Sequence, residues 1–107
     1  MDFMEISKKR VTVQQFAQTP VEDEKIHKIL EAGRWSPTAV NAQPQRILVL
    51  FIAYDKTACW THLQSGENSG ATDATIVATH MMLEAASIDL GTVWISYFDK
   101  TKARELL

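Results

Sequence analysis

A chain of 107 residues with 46% apolar and 22% charged side chains has the make-up of one ordinary globular domain, unlike a fibrous or disordered protein. Its formal charge of −2 gives no electrostatic reason for nucleic acid or an anionic membrane as a partner, and no apolar run approaches the ~20 residues of a membrane span. The single cysteine, Cys59, has no internal disulfide partner, so a reducing cytoplasm is the expected compartment. Asp2 and Glu5 precede the first basic cluster and no long apolar stretch follows, which is unlike a signal peptide.

Phe3, Met4 and Ile6 predict a short helix that ends in Lys8-Lys9-Arg10, where cations suit the helix dipole. Val11 to Phe16 reads as extended. Thr19-Pro20-Val21-Glu22 then matches a capping box with proline at the first helical position. Ile26, Ile29, Leu30 and Gly33 recur at helical spacing opposite Glu22, Asp23, Glu24, Lys25 and Lys28, so a helix runs to about Trp35. A proline-bracketed loop, Ser36 to Pro44, follows, and the apolar run Ile47 to Ala53 reads as a buried strand. Tyr54 to Gly70 is rich in turn formers. From Thr72 to Leu90 a helix is apolar on nearly every side, which suits a core or a subunit interface, with Gly91 as its expected terminator. Thr92 to Ser96 reads as a short strand, and Asp99 caps a last helix, Lys100 to Leu107.

The chemistry concentrates in the Ser36–Pro44 loop. Thr38 and Ala39 are small enough for a flat ligand to approach, and Asn41 and Gln43 each offer a donor and an acceptor. A plain helix-to-strand connection accounts for the same residues equally well. His27, His62 and His80 lack metal-ligand spacing, and His80 reads as a hydrogen-bonded core residue. Met81 and Met82 read as packing residues, and Cys59 has no basic neighbour to make it a nucleophile. Gly66 and Gly70 do not form a phosphate loop, and Ser65, Ser69 and Ser87 lack a nucleophile elbow, so hydrolase chemistry is disfavoured. No metal site and no side-chain acid or base is expected.

The stretch P-V-E-D-E-K-I-x-K-I-L-E-A-x-R-W-S-P-T-A-x-N-x-Q-P, the later D-A-T-I-V-A-T-H-M-M-L-x-A-A, and L-G-T-V-W-I-S-Y-F-D resemble the FMN-dependent nitroreductase family over most of the chain. The resemblance implies an α+β fold, a central sheet flanked by helices with a long buried central helix. It further implies a homodimer with FMN at the subunit interface, reduced by NADH or NADPH and reoxidised by a small-molecule acceptor such as a nitroaromatic or quinone. Carried over by residue, Arg10, Thr12 and Gln14 would meet the phosphate and ribityl chain, with Gln14 lacking the family's cation. Pro37, Thr38, Ala39, Asn41 and Gln43 would reach the flavin bound mainly by the other subunit, and Gln45 stands where the family often has Trp. Ile95, Ser96 and Tyr97 would lie along the isoalloxazine ring.

The same resemblance implies a single domain that lacks a helix and loop between Leu50 and Phe51 and a strand and tail after Leu107. A direct join at Leu50–Phe51 would reach only 3.8 Å. The alternatives to an enzyme are a non-catalytic flavin-binding or dimerisation module and, from another class, a scaffold without a cofactor.

Overall fold

The computed structural model describes residues 1–48 and 51–106, and its first helix begins where the sequence supplies a cap. The Asp2 carboxylate accepts the Glu5 N–H at 2.9 Å, and Glu5 accepts the Asp2 N–H at 2.8 Å, starting α1 (Phe3–Lys9). The second helix, α2 (Asp23–Arg34), starts later than Thr19-Pro20 predicts. Glu22 is its N-cap, and the carboxylate turns onto its own backbone N–H and onto Lys25, 3.5 Å away. Those contacts hold the Glu22 carboxyl below its usual range, and with Glu22 itself at the N-cap the expected Thr19–Glu22 box is not the start of the helix.

The run Ile47–Ala53, which its apolar pattern reads as one strand and the family resemblance as two, holds two antiparallel strands, β1 (Gln45–Leu48) and β2 (Phe51–Tyr54), with Gln45 opposite Tyr54 and Leu48 opposite Phe51. Val49 and Leu50 lie outside the described residues, and the expected break before Phe51 falls beside them. Leu48 and Phe51, the strand ends on either side, are direct partners in the register. Leu107, after which a further strand is expected, also lies outside the described residues. Neither strand is wholly buried: Ile47 and Ile52 are half-buried, and Arg46 and Ala53 are exposed.

The long helix α3 (Gly70–Ser87) packs against α1, α2 and both strands, which makes it the centre of this α+β fold. Its buried stripe is Val77, Met81 and Ala85, spaced four apart, with Ala86 beside them. Gly33 lets α2 approach closely, since a β-carbon there would lie 3.0 Å from Met81 Sδ and 3.3 Å from Val77 Cγ1. Within one chain the burial is on one side, which fits the core-or-interface position expected of this helix. Thr75, Thr79 and His80 are exposed, and His80 holds only the Ile76 carbonyl, 3.0 Å from Nδ1. The described chain supplies neighbours for one face of α3, so the core position expected for His80 does not arise.

Gly91 does not terminate α3. Asp89 takes the left-handed conformation (φ 64°), and the N–H groups of Asp89 and Leu90 return to Ala86 and Ala85 at 3.3 and 2.9 Å. Aspartate tolerates that region better than most side chains. Its carboxylate pairs with Lys9 of α1, a contact that holds the Asp89 carboxyl below its usual range. Gly91 serves a close approach instead, because a β-carbon there would meet Val13 Cγ2 at 2.7 Å. The strand expected at Thr92–Ser96 is reduced to one parallel bridge, Thr12 with Thr92, where the Val13 N–H donates to the Thr92 carbonyl at 2.9 Å. Among the described residues no strand lies against Val93–Ser96, where the Ser96 carbonyl accepts the local Phe98 N–H at 3.2 Å, and a segment without a ladder is not a strand. Asp99 caps α4 (Lys100–Leu106) as predicted, accepting the Lys102 N–H at 3.0 Å.

The accessible surface is 8252 Å², against ~6,000 Å² for a compact monomer of this mass. Val11, Phe16, Trp94, Ile95, Tyr97 and Phe98 are among the large apolar side chains left uncovered. Among the described residues no helix is long and apolar enough to cross a membrane.

Candidate functional site

The site grows from the end of α2. The Trp35 indole Nε1–H donates to Glu31 Oε1 at 2.7 Å, yet the ring is 77% exposed and presents a flat surface. Ser36 is buried; its N–H returns to Gly33 and its hydroxyl to Ala32, both at 3.2 Å, which staples the loop to the helix end. Pro37 cannot continue the helix. A short 3₁₀ turn (Ala39–Asn41) follows, in which Val40 and Asn41 have φ of 49° and 54°, and Gln43 has φ of 51°. For non-glycine residues this conformation costs about 1–3 kcal/mol each, and for a β-branched valine it is a true outlier.

Two sets of hydrogen bonds hold the loop in that shape. Asp73, in the first turn of α3 and only 2% exposed, accepts the Ala39 N–H at 3.1 Å through Oδ1 and the Ser69 hydroxyl at 2.7 Å through Oδ2. Thr38 Oγ1 accepts both the backbone N–H and the side-chain Nε2 of Gln43 at 3.1 Å. Gln43 Nε2 also donates to Asn41 Oδ1 at 2.6 Å, and Gln43 Oε1 accepts from Gln45 Nε2 at 2.7 Å. The loop then enters β1, where the Asp55 N–H donates to the Pro44 carbonyl at 2.8 Å. The Thr57 hydroxyl and N–H, at 2.6 and 2.8 Å, hold the Asp55 carboxyl below its usual range.

The outcome is an open cleft of about 380 Å³ lined by Arg34, Trp35, Ser36, Pro37, Asn41 and Gln43. Of the residues singled out from sequence, Pro37, Asn41 and Gln43 line it, and Thr38 and Ala39 stand behind in the network that fixes it. The side-chain amide of Gln43 is engaged inside the loop, whereas the NH2 of Asn41 has no acceptor among the described residues.

Arg10 is the C-cap of α1, and its guanidinium forms no ion pair among the described residues. Thr12 joins Thr92 through the parallel bridge, and Gln14 is exposed. Ile95, Ser96 and Tyr97 follow on the same segment as Thr92 with their side chains exposed, so the first and third residue groups lie on neighbouring stretches. No hydrogen bond or ion pair among the described residues joins either group to the loop. Arg34, Trp35 and Asp73 escaped the sequence reading. Asp73 carried a weak signal, an acid in a first helical turn, but its partner Ala39 is 34 residues away and only the fold brings them together.

Comparison with known proteins adds a family. A model described as "Nitroreductase family" matches residues 7–58 and 51–107. A Streptomyces coelicolor protein named as an NADH dehydrogenase/NAD(P)H nitroreductase is 40% identical over 67 residues, which are 63% of this chain and 33% of that protein. The chain thus spans about a third of the length of this curated relative. A nitroreductase family protein of Clostridium difficile 630 superposes with a TM-score of 0.93 at 31% identity, covering 98% of this chain and 74% of that one. A Desulfovibrio desulfuricans protein, solved in complex with FMN, matches with a TM-score of 0.74 at 22% identity, covering 87% of this chain and 67% of its own. At that identity the likeness speaks to the fold alone.

Proposed function

The chain belongs to the nitroreductase family, and from that premise we propose that it is a cytoplasmic, homodimeric, FMN-dependent NAD(P)H oxidoreductase. The observation that carries this is the Ser36–Pro44 cleft, which lies in the matched stretch and is lined by a flat indole, an unengaged amide NH2 and a guanidinium. The Desulfovibrio relative of the same fold was solved with FMN bound.

The residues present fit that cofactor. Arg10, unpaired among the described residues, and the Thr12 hydroxyl would hold the phosphate, with Gln14 beside them. Asn41 would donate to the ring system, Gln43 would hold Asn41, and Pro37, Thr38 and Ala39 would keep the loop backbone close to it. Ile95, Ser96 and Tyr97 would cover the ring from an exposed segment. Two copies, each contributing a different group, would bring the loop opposite the Arg10 and Ile95 segments. The surface in excess of a compact monomer supports that assembly. Bound FMN would supply the hydride chemistry, from NADH or NADPH to a nitroaromatic or quinone acceptor, and no side-chain acid or base is required of this chain.

Flavin-free protein mixed with excess FMN and gel-filtered should retain one FMN per chain and scatter light as a dimer. Retention of FAD instead, or of no flavin, would sink the proposal. The alternative reading is a flavin-binding module without turnover. NADH or NADPH oxidation by the FMN-loaded dimer separates the two, since a module binds flavin and oxidises neither.

Arg10→Ala should weaken FMN binding by about 1.5–3 kcal/mol, the range for a hydrogen bond to a charged group. Lys28→Ala is the control: Lys28 is exposed and its only ion pair among the described residues is to Glu24 at 3.6 Å, so FMN affinity should not move. Equal losses by fluorescence titration would make Arg10 merely part of a basic surface.

A further inference from the structure

The side-chain amides of the loop form a relay with one direction. Gln45 Nε2 donates to Gln43 Oε1, and Gln43 Nε2 donates to Asn41 Oδ1 and Thr38 Oγ1. A carboxamide donates from one end and accepts at the other, so each member fixes which end of the next is engaged. Asn41 comes last; its oxygen is taken, and its NH2 is the end left for the cleft it lines. Gln45 comes first, and its Oε1 is buried without a hydrogen-bond partner among the described residues. Such an oxygen lowers stability relative to an apolar side chain of the same size, so packing alone is a poor reason for glutamine here. Arg46 braces the same stretch, its Nη1 donating to the Gln43 and Gln45 carbonyls at 3.2 and 2.9 Å.

We propose that Gln45 is a positioning residue: through Gln43 it holds the Asn41 amide with its NH2 toward the cleft, which thereby selects a ligand that offers a hydrogen-bond acceptor, such as a ring carbonyl, at that point. The ligand's identity rests on the FMN proposal above, whereas the relay is a property of the free protein.

The test is Gln45→Met, which keeps the bulk and removes the amide. Three quantities are measured on the 107-residue chain: FMN affinity by fluorescence titration, the thermal midpoint without flavin, and the side-chain NH2 resonances of Gln43 and Asn41 in ¹⁵N-labelled, flavin-free protein. FMN affinity should fall roughly 3- to 10-fold, the size of one hydrogen bond, while the thermal midpoint holds or rises. The NH2 resonances of both residues should move. In an Asn41→Ala background Gln45→Met should change FMN affinity no further, as action through a shared partner requires. Additive losses, unchanged affinity, or affinity lost in step with stability would overturn the proposal. If the wild-type chain takes up no FMN, the FMN proposal fails and the resonances decide the relay: signals unmoved by Gln45→Met overturn it.

Discussion

Asp73→Ala should lower the free energy of unfolding by about 1–3 kcal/mol, because it strands the part-buried Ala39 N–H and leaves the Ser69 hydroxyl only the Trp60 carbonyl at 3.4 Å. The effect reaches beyond stability. The Ala39 N–H has no other acceptor among the described residues, so the loop loses its tie to α3 and its left-handed residues should relax. Amide exchange at Ala39 and Asn41 should quicken, and FMN affinity should fall with it. Asp73→Asn keeps one oxygen for the Ala39 N–H and should recover part of the loss. Asp23→Ala is the control, since Asp23 also sits in a first helical turn but is exposed. It should cost no more than ~1 kcal/mol through the helix dipole. Urea denaturation giving equal losses for Asp73→Ala and Asp23→Ala would show that Asp73 is only a helix-end charge.

Gly70→Ala should be comparably damaging, at about 1–3 kcal/mol. A methyl group there would lie 2.2 and 2.3 Å from Tyr54 Cδ2 and Cε2, so the ring at the end of β2 would have to leave the first turn of α3. Its effect should be strongly non-additive with the neighbour: in a Tyr54→Ala background the obstacle is gone and the same substitution should be near neutral. A cost that stays the same in both backgrounds would place the problem in the Gly70 backbone and clear Tyr54.

What could be read from the sequence was whatever local chemistry decides. The period of Ile26, Ile29, Leu30 and Gly33 gave α2, and Asp99 gave the start of α4, because periodicity and caps act within a few residues. The pairing of β1 with β2 was hidden from the apolar pattern because Ile47 to Ala53 is an unbroken apolar run with no glycine, asparagine or proline to mark a reversal. The end of α3 was misplaced because glycine is the usual left-handed residue and here an aspartate fills the role, with Lys9 as its ion-pair partner. Val93 to Ser96 has strand composition, but a strand is made by its partner, and composition does not disclose one. At the site, the loop could be found as a proline-bracketed polar stretch. That the Gln43 amide is engaged within the loop while the Asn41 NH2 is left without an acceptor among the described residues depends on Thr38 and Gln45 together, and spacing alone carries no such information.

The bent loop has a bearing on how a ligand arrives. Val40 has its backbone in a region that valine avoids, while its side chain is 78% exposed and so gains little from packing there. The tie of Ala39 to Asp73 before it and the bond from the Gln43 N–H after it back to Thr38 hold that shape in the free protein. A loop already locked in this way does not need to be ordered by the molecule it receives, so association should proceed close to rigid docking, with little entropic penalty from the loop. Val40→Gly would ease the backbone and widen the set of shapes open to the free loop. Such a change would make the protein easier to fold and slower to capture its ligand.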